Sequence, residues 1–285
     1  MNKSGKLIEK SFVVAAVFCA ALTILVFVFM MIMSLPLFKG GLFFSLIKSP
    51  WNPEKGVFGI YPMLIGTGLI VLLSLCWAFP ICLGSSALIS VIAPPAFSNF
   101  FKKIIQMMTG IPTVIYGFVG VFLLVPFIRE MFEAGTGMNI LSASLMLAMV
   151  ISPTMIIIFT ESFQNIPPSY TAAVDALGGS AVQKLIYVIL PCSWRGILSG
   201  LTLSLGRAMG DTLIALMLAG NAVAVPDSIF DSARALTSHI ALVIAADFDS
   251  NEFRSIFTCG LVLYTFTTLL IVLVRFLGKE SLKDK

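Results

Sequence analysis

Charged residues are distributed so unevenly along the chain that they leave five long, mainly apolar runs. These uncharged runs cover residues 11–38, 56–101, 104–128, 134–160 and 255–274. Each is at least as long as the ~20 residues that an α-helix needs to cross the hydrocarbon core of a membrane. The pattern predicts one membrane-spanning helix in each run, the first four at about 12–33, 63–91, 105–127 and 139–160.

A sixth candidate helix, from about Ile197 to Asn221, carries Arg207 and Asp211. On an insertion scale each of these two charges costs about 2.5–3.5 kcal/mol, whereas each Leu, Ile or Met returns about 0.3–0.6 kcal/mol. Because the sum is close to zero, we expect other helices to enclose this one, with its charged face turned inward. The predicted fold class is an all-α, polytopic membrane protein with six transmembrane helices.

Lys and Arg residues between the helices indicate the orientation, because they accumulate on the cytoplasmic side of membrane proteins. A cytoplasmic N-terminus leaves eleven of them on that side and six on the other, so we expect both termini to be cytoplasmic. The predicted organisation has three parts: an N-terminal tail, first helix and external loop at 1–61, a core of five helices at 62–278, and a cytoplasmic tail at 279–285.

Composition excludes several classes of function. Only 11% of the residues are charged and 58% are hydrophobic, whereas a soluble domain has about 25% charged residues. With five cysteines, no CxxC pair and one histidine, the sequence predicts neither a metal site nor a disulfide framework. It contains no GxxxxGKS or GxxxxGKT loop, so ATP hydrolysis would need a separate chain. The net charge of +4 follows from the topology and does not indicate nucleic-acid binding.

Residues 161–195 form an extended cytoplasmic segment that has helical signals of its own. Pro168 suits the first turn of a helix, and Gly178 would end it. Ser180 and Gln183 then match a capping box that begins a second helix. Four apolar residues of this second helix share one face that we expect to contact a partner or neighbouring helices: Val182, Leu185, Ile186 and Ile189.

The sequence YTAAVDALG at 170–178, followed by VILP at 188–191, resembles the EAA loop of bacterial ABC importer permeases. In that family the loop forms coupling helices that dock into the ATPase subunits. The family usually has an acidic residue where this chain has Ala172, so the docking contacts there are expected to differ. The alternative is a pair of amphipathic helices that only stabilises a connection. The resemblance assigns ATPase coupling to Tyr170, Ala172, Ala173, Asp175 and Gly178.

Two further motifs narrow the resemblance to the permeases of the Pst phosphate importer. They are GIPTVIYG at 110–117 and GRAMGDT at 206–212, the second of which continues to Gly220 and Asn221. Together with ALTSHIAL at 235–242, the second motif is closer to the PstC-type subunit than to its PstA-type partner. The resemblance implies the architecture of a type I ABC importer permease in the bacterial inner membrane.

The same resemblance implies an activity and a set of partners. The expected assembly contains this chain, a PstA-type permease, two PstB-type ATPases and an external PstS-type phosphate-binding protein. ATP and Mg are expected on the ATPases, and no cofactor is expected in this chain. The chain would form half of a phosphate pathway and would not itself be an enzyme.

Arg207 and Asp211 carry the chemistry that such a pathway needs. Four residues apart on a helix, they would share a face that borders the pathway, together with Thr212 and Asn221. A guanidinium presents a planar fork of donors that matches two phosphate oxygens. Asp211, where the family more often has Glu, would accept the O–H that phosphate keeps and sulfate lacks, or would temper the attraction of Arg207. The alternative is that the two charges pair only to make the helix insertable.

Thr113 and Tyr116 follow Pro112, which removes a backbone hydrogen bond from its helix. Their hydroxyls, or backbone N–H groups freed at the break, could serve an anion as broken helices do in transporters. A simple proline kink is the alternative. Four glycines in the sixth candidate helix have the spacing that permits close packing between helices: Gly196, Gly200, Gly206 and Gly210.

The external segment 222–255 is acidic and has a helical pattern at 232–246 that we expect to lie along the membrane surface. Its carboxylates would suit contact with a binding protein, or a simple solvated loop. The alternative functions are import of another oxyanion such as sulfate or molybdate, a membrane-embedded enzyme, and a channel. An enzyme is disfavoured, since Arg207 and Asp211 are the charged residues of the predicted spans.

Overall fold

A computed structural model describes residues 3–38, 48–133, 135–247 and 250–280, with side chains described between residues 9 and 276 of these ranges. The described chain is almost entirely helical, apart from a short antiparallel hairpin of strands β1 Trp51–Asn52 and β2 Val57–Phe58. The helices are α1 Lys3–Phe38, α2 Tyr61–Ile92, α3 Pro95–Thr109, α4 Thr113–Phe132, α5 Ile140–Gln164, α6 Pro168–Ala176, α7 Ala181–Cys192, α8 Trp194–Gly210, α9 Leu213–Leu218, α10 Leu236–Val243 and α11 Asn251–Glu280.

The long helices confirm the predicted all-α, polytopic fold. In the described part of the chain, five helices are long and apolar enough to cross a membrane, namely α1, α2, α4, α5 and α11. A sixth span results if α7 and α8, which meet at an angle of 69°, are counted together. The cytoplasmic placement of both termini and the division of the chain at residues 62 and 278 stay predictions.

Helix α5 lies at the centre of the bundle and contacts α2, α3, α8 and α9. Its Ile151, Met155 and Phe159 side chains are completely buried. The helix is hydrophobic on every side, and other helices of the chain cover most of its surface. Polar atoms join it to α2, because Cys82 Sγ donates to the Ser152 carbonyl at 3.6 Å and Ser86 Oγ reaches the Ile156 carbonyl at 3.2 Å. These contacts make α2 and α5 the frame on which the other helices are placed.

Helix α1 packs on α11 and stands outside this frame. Its aromatic rings interlock with those of α11, with centroid distances of 5.1 Å for Phe27 and Tyr264 and 5.7 Å for Phe29 and Phe257. Most of the remaining α1 side chains are exposed in the isolated chain, including Phe12 at 70%. An apolar helix this uncovered is suited to contact with lipid or with another subunit.

Three helices contain a π-helical turn directly before a proline. Proline has no N–H group, and its ring crowds the carbonyl four residues earlier, so a regular turn is unfavourable there. In each helix the N–H of the preceding residue donates to the carbonyl five residues back, which widens the turn. The three cases are Ala93 to Leu88 before Pro94, Val125 to Gly120 before Pro126, and Leu190 to Leu185 before Pro191. Pro191 is therefore accommodated within α7, one residue before the helix ends.

The predicted third and sixth helices are each divided in two. The interruption at Pro112 confirms the prediction for the third helix, whereas the break in the sixth helix corrects the prediction of one continuous helix. The helix expected at 105–127 is divided between α3 and α4, because Gly110 and Pro112 interrupt its hydrogen-bond ladder. The helix expected at 197–221 ends at Gly210, and α9 begins three residues later after Asp211 adopts an extended conformation.

The external segment is also different from the prediction. Its helix α10 is set into the bundle, where the Leu236 N–H donates to Thr67 Oγ1 of α2 at 2.9 Å. His239 is completely buried and meets the edge of the Trp51 ring at a centroid distance of 4.4 Å, so α10 also holds the hairpin. Burial, with a smaller effect from nearby Arg234, lowers the pKa of His239 to about 4. The helix predicted at 232–246 is therefore shorter, at Leu236–Val243, and its position along the membrane surface stays a prediction.

Some sequence predictions fall on residues outside those described. Part of the predicted external loop, at 39–47, and most of the predicted C-terminal tail, at 281–285, belong to this group. Within the described part, the loop preceding α2 contributes the hairpin and a 3-10 turn at Pro53–Lys55.

Candidate functional site

One face of α8 is left uncovered by the rest of the chain. Leu203, Gly206, Arg207 and Gly210 follow one another at helical spacing along this face. Leu203 is 58% exposed, and a Cβ atom added to Gly206 or Gly210 would meet nothing within 4 Å. At Gly200 an added Cβ would meet a ring of α5 at 2.7 Å. The first pair of predicted packing glycines therefore serves close contact within the chain, whereas the second pair leaves open space beside Arg207.

Arg207 is half-buried and is held from α5. Its Nη1 donates to Thr154 Oγ1 at 3.0 Å, a contact between residues 53 positions apart in sequence. Its positive charge also acts on Tyr116 of α4 and on Asp211 after the end of α8. The guanidinium thus lies where three segments meet. Among the described residues, its hydrogen bond to Thr154 leaves the other N–H donors available.

Thr154 is a site residue that the sequence analysis missed. It directly follows Pro153 on α5 and was hidden in a run of apolar residues. The signal available was a hydroxyl next to a proline in a predicted span, and that signal is weak, since many helix hydroxyls bond their own backbone. Ser152, two residues away, does so by donating to the Ala148 carbonyl at 2.6 Å.

Asp211 does not form the ion pair that the alternative interpretation required. In the part of the chain that the structure describes, the ion pair within 4 Å is Lys184–Asp175. Asp211 instead begins α9, where its Oδ1 accepts from the Ile214 N–H at 2.8 Å, and its own carbonyl accepts from Thr237 Oγ1 at 3.0 Å. A carboxylate at this position satisfies a free N–H and complements the positive end of the helix dipole.

A small space with mainly apolar walls and three polar residues lies behind the break. Asp211, Thr67 and Thr237 border a cavity of about 10 Å³, close to the room that one water needs. Asp211 therefore faces helices α2, α5 and α10 as well as the charge of Arg207. The expectation that Arg207 and Asp211 share one helix face was wrong, because the helix ends between them.

Thr212 and Asn221 lie at the two ends of α9. Thr212 is half-buried and its carbonyl accepts the first N–H bond of the helix, from Leu216 at 2.9 Å. Asn221 has a left-handed backbone, with φ 59°, and its Nδ2 donates to the Leu216 carbonyl at 2.7 Å. Its carbonyl accepts from Arg234 Nε at 3.0 Å. These contacts give Asn221 a part in ending α9, and the structure does not bring it into contact with Arg207.

Tyr116 and Thr113 lie on the first turn of α4. Thr113 is the first residue of that helix and is half-buried. Tyr116 is 8% exposed and its hydroxyl donates back across the break to the Met108 carbonyl at 3.3 Å. Glycines bring α4 against α9, since a Cβ added at Gly117 or Gly120 would collide with side chains of that helix. The two broken helices therefore meet each other, with Arg207 beside them.

The predicted coupling segment forms the two short helices that the sequence indicated. The Ser180 and Gln183 capping box is present, and Gly178 ends α6 with a left-handed φ of 72°. An ion pair between Lys184 Nζ and Asp175 Oδ1, at 2.7 Å, joins α6 to α7. No described residue of α6 is buried.

This segment presents apolar side chains to the outside. Tyr170 is 55% exposed and Leu177 88%, and Ala172, Ala173 and Gly178 are exposed too. Of the apolar face predicted on α7, Ile189 is buried inside the chain, whereas Val182 and Ile186 are half or more exposed. Apolar residues left open on both short helices are typical of a surface that another protein covers.

Comparison with known proteins gives a matching family and several similar chains. Residues 87–281 match the family described as the binding-protein-dependent transport system inner membrane component. The chain is 31% identical to the probable ABC transporter permease protein YqgH of Bacillus subtilis, over 81% of this chain and 75% of that protein. It is 27% identical to the phosphate transport system permease protein PstC of Pasteurella multocida, over 82% and 79% of the two chains.

A solved structure is similar in fold. A chain from a bacterial alginate ABC transporter, crystallised with an alginate-bound periplasmic protein, superposes with a TM-score of 0.68. The match covers 96% of each chain at 12% sequence identity. At that identity the likeness concerns the arrangement of the helices alone.

Proposed function

The chain belongs to the family of binding-protein-dependent transport system inner membrane components, and from that premise we propose that it is a permease subunit of an ATP-driven phosphate importer. It is a multi-pass inner-membrane protein with the helix arrangement of ABC importer permeases. Within that family, the phosphate permeases named PstC are similar along about four fifths of the chain. Phosphate is therefore the substrate that the comparisons favour.

The observation that carries the proposal is the Arg207 guanidinium on the uncovered face of α8. A permanently charged, planar group half-buried within a membrane protein is costly unless it has a function or a partner. Its described hydrogen bond is to the neutral Thr154 hydroxyl, so its charge is not cancelled by a direct ion pair. The remaining N–H donors can bind two oxygens of one phosphate in the bidentate geometry that guanidinium favours.

Asp211 serves this function by moderating the attraction. Its charge acts on Arg207 without a direct ion pair, which lowers the net field that an anion meets. A site on a transport pathway must attract the anion and also release it. A guanidinium whose attraction is reduced by a nearby carboxylate meets both requirements. Asp211 is also able to accept the hydrogen bond of a phosphate O–H, which sulfate lacks at neutral pH.

The partners follow from the family and from the open surfaces. Family members act with binding proteins, and relatives are ABC transporter permeases, so separate ATPase and binding-protein subunits belong to the proposal. We assign the exposed helices α6 and α7 to ATPase docking, through Tyr170, Ala172, Ala173, Asp175 and Gly178. A PstA-type permease would cover the open face of α8, and PstB-type subunits would hold ATP and Mg. An external PstS-type protein would deliver phosphate.

Uptake by vesicles tests the proposal. The complete transporter, reconstituted with its binding protein and ATP, is expected to take up labelled phosphate and to stop when either is omitted. Uptake of sulfate at a matching rate under the same conditions would contradict phosphate as the substrate.

Asp211→Asn gives a sharper form of this experiment. Asn is about as good as Asp at a helix N-terminus, so the variant keeps the cap of α9 and removes only the charge. We expect it to bind phosphate more tightly, release it more slowly and discriminate less against sulfate. An unchanged preference for phosphate over sulfate would show that Asp211 only begins a helix.

A further inference from the structure

A polar cavity lies between α3 and the last turns of α5, away from Arg207. It has a volume of about 250 Å³ and is lined by three isoleucines and by five polar residues: Lys102, Gln106, Thr160, Glu161 and Gln164. The two larger cavities described in the chain are lined almost wholly by apolar residues. The coupling helix α6 begins four residues after α5 ends, so the cavity lies at the same end of the bundle as the coupling segment.

One face of α5 links this cavity to Arg207. Thr154, which holds Arg207, is followed at helical spacing by Ile157, Glu161 and Gln164. None of these four residues is buried, although most of the helix around them is. Thr154 and Glu161 are two turns apart, which corresponds to a rise of about 10 Å along the helix. A small anion released by Arg207 would therefore find a partly open face of α5, with Thr154 at one end and the polar residues of the cavity at the other.

Thr160 adds a buried hydroxyl to the lining of the cavity. Its side chain is 5% exposed and its Oγ1 has no hydrogen-bond partner among the described residues. Hydroxyls nearby on the same helix are engaged, as Ser162 Oγ donates to the Ile158 carbonyl at 2.7 Å. A buried hydroxyl that bonds nothing in the chain is unfavourable unless a ligand or water completes it.

Lys102 and Glu161 bring opposite charges to the cavity without pairing to each other within 4 Å in the described structure. Lys102 can attract a phosphate, and the two glutamine amides and Thr160 can donate to its oxygens. The Glu161 carboxylate accepts a hydrogen bond from the O–H that inorganic phosphate keeps near neutral pH, and a phosphodiester of a lipid has no such donor. Since the two side-chain charges cancel, the cavity would hold the anion weakly, as a site of departure must.

We propose that this cavity is a second phosphate-binding site on the pathway, called here the second station. It receives the anion after Arg207, before the anion leaves at the end of the helix bundle that carries the coupling segment. The inference rests on the proposed phosphate import. It adds a site with its own residues, placed beside the helices that would respond to ATP. Phosphate that accumulates on that side should therefore occupy the station and slow further transport.

The test traps inorganic phosphate with ATP inside vesicles that contain the complete transporter, and measures the initial rate at which labelled phosphate enters. Trapped phosphate should slow the wild type. Lys102→Gln should raise the concentration needed for half inhibition about tenfold, and the isosteric Thr160→Val about threefold, because each removes a contact to a charged ligand. Lys103→Gln, next to Lys102 but outside the cavity, is the matched control and should leave the curve unchanged. Trapped sulfate should inhibit less than phosphate.

The outcomes separate this inference from the proposed function. Wild-type vesicles that import no phosphate would overturn both. Normal import with the same inhibition curve for wild type, Lys102→Gln and Thr160→Val would overturn the second station alone. A curve that shifts with the phosphatidylethanolamine content of the vesicles, and not with trapped phosphate, would assign the cavity to a lipid headgroup instead. Retained co-purification with the ATPase shows that each variant is assembled.

Discussion

The break between α8 and α9 and the coupling segment differ in where their polar groups find partners. At the break, Arg207 is held by Thr154, 53 residues earlier, and the Asp211 carbonyl is held by Thr237, 26 residues later. In the coupling segment the contacts are local, between Ser180 and Gln183 and across nine residues in the ion pair.

This difference has a consequence for function. The break depends on the assembled bundle, so its geometry changes when helices of the bundle move. The coupling segment is held mainly by local contacts and keeps several apolar side chains exposed, among them Tyr170 and Leu177, which suits docking to another protein. Movement of the second region can be transmitted to the first through the helices that join them along the chain, α5 and α8.

Removing the charge at the break should have the largest effect. Arg207→Gln is expected to lower phosphate uptake by about 100-fold, since hydrogen bonds to a charged group contribute about 1.5–3 kcal/mol and 1.4 kcal/mol is tenfold. Uptake by reconstituted vesicles measures it. Arg195→Gln, at the exposed start of the same helix, is the control and should stay within about twofold. Equal rates for both variants would remove Arg207 from the pathway.

Distorting the coupling segment should have the next largest effect. Gly178 has a φ of 72°, and nothing lies within 4 Å of an added Cβ, so Gly178→Ala strains the backbone without a clash. A left-handed residue with a side chain costs about 1–2 kcal/mol, and we expect about tenfold weaker ATPase binding. Co-purification and ATP-dependent uptake measure this effect.

Gly84→Ala is the matched control for that prediction. Gly84 also has open space around it but lies in α2 and lacks a positive φ. It should leave ATPase binding unchanged. If both variants bound the ATPase equally well, the turn at Gly178 would have no part in docking.

Removing the hydroxyl that holds Arg207 should have a moderate effect. Thr154→Val preserves the shape of the side chain and removes one hydrogen bond worth about 1 kcal/mol. The maximal rate of uptake should therefore fall about fivefold. Thr265→Val removes a hydroxyl that bonds the Leu261 carbonyl of its own helix at 2.8 Å, and serves as the control. Wild-type rates in Thr154→Val would mean that the guanidinium needs no support from α5.

Breaking the ion pair in the coupling segment should have the smallest effect. Asp175 is 58% exposed, and exposed ion pairs contribute about 0.2–1 kcal/mol that salt screens. Lys184→Gln should weaken ATPase binding by at most about fivefold at low salt and by less at high salt. Asp175→Asn should match it, and a much larger loss for Asp175 alone would point to a direct contact with the ATPase.

The parts of the site that could be predicted from sequence are those with local signals. The capping box, the left-handed glycine and the first-turn proline each depend on neighbours within a few residues, and the structure confirms them. The pairing of Arg207 with Asp211 was wrong for a related reason. Spacing of four predicts a shared face only while the helix continues, and the contacts of Asp211 with Ile214 and Thr237 favour its ending.

The sequence by itself determined that this is a polytopic helical membrane protein, because long uncharged runs have no favourable place in water. It also determined the two coupling helices, since their caps and turns are local. Only the tertiary structure decided where the spans break, which hydroxyl holds Arg207, and which face of α8 stays open. Those features depend on contacts between residues that are far apart in sequence, and no single segment of the chain contains both partners of such a contact.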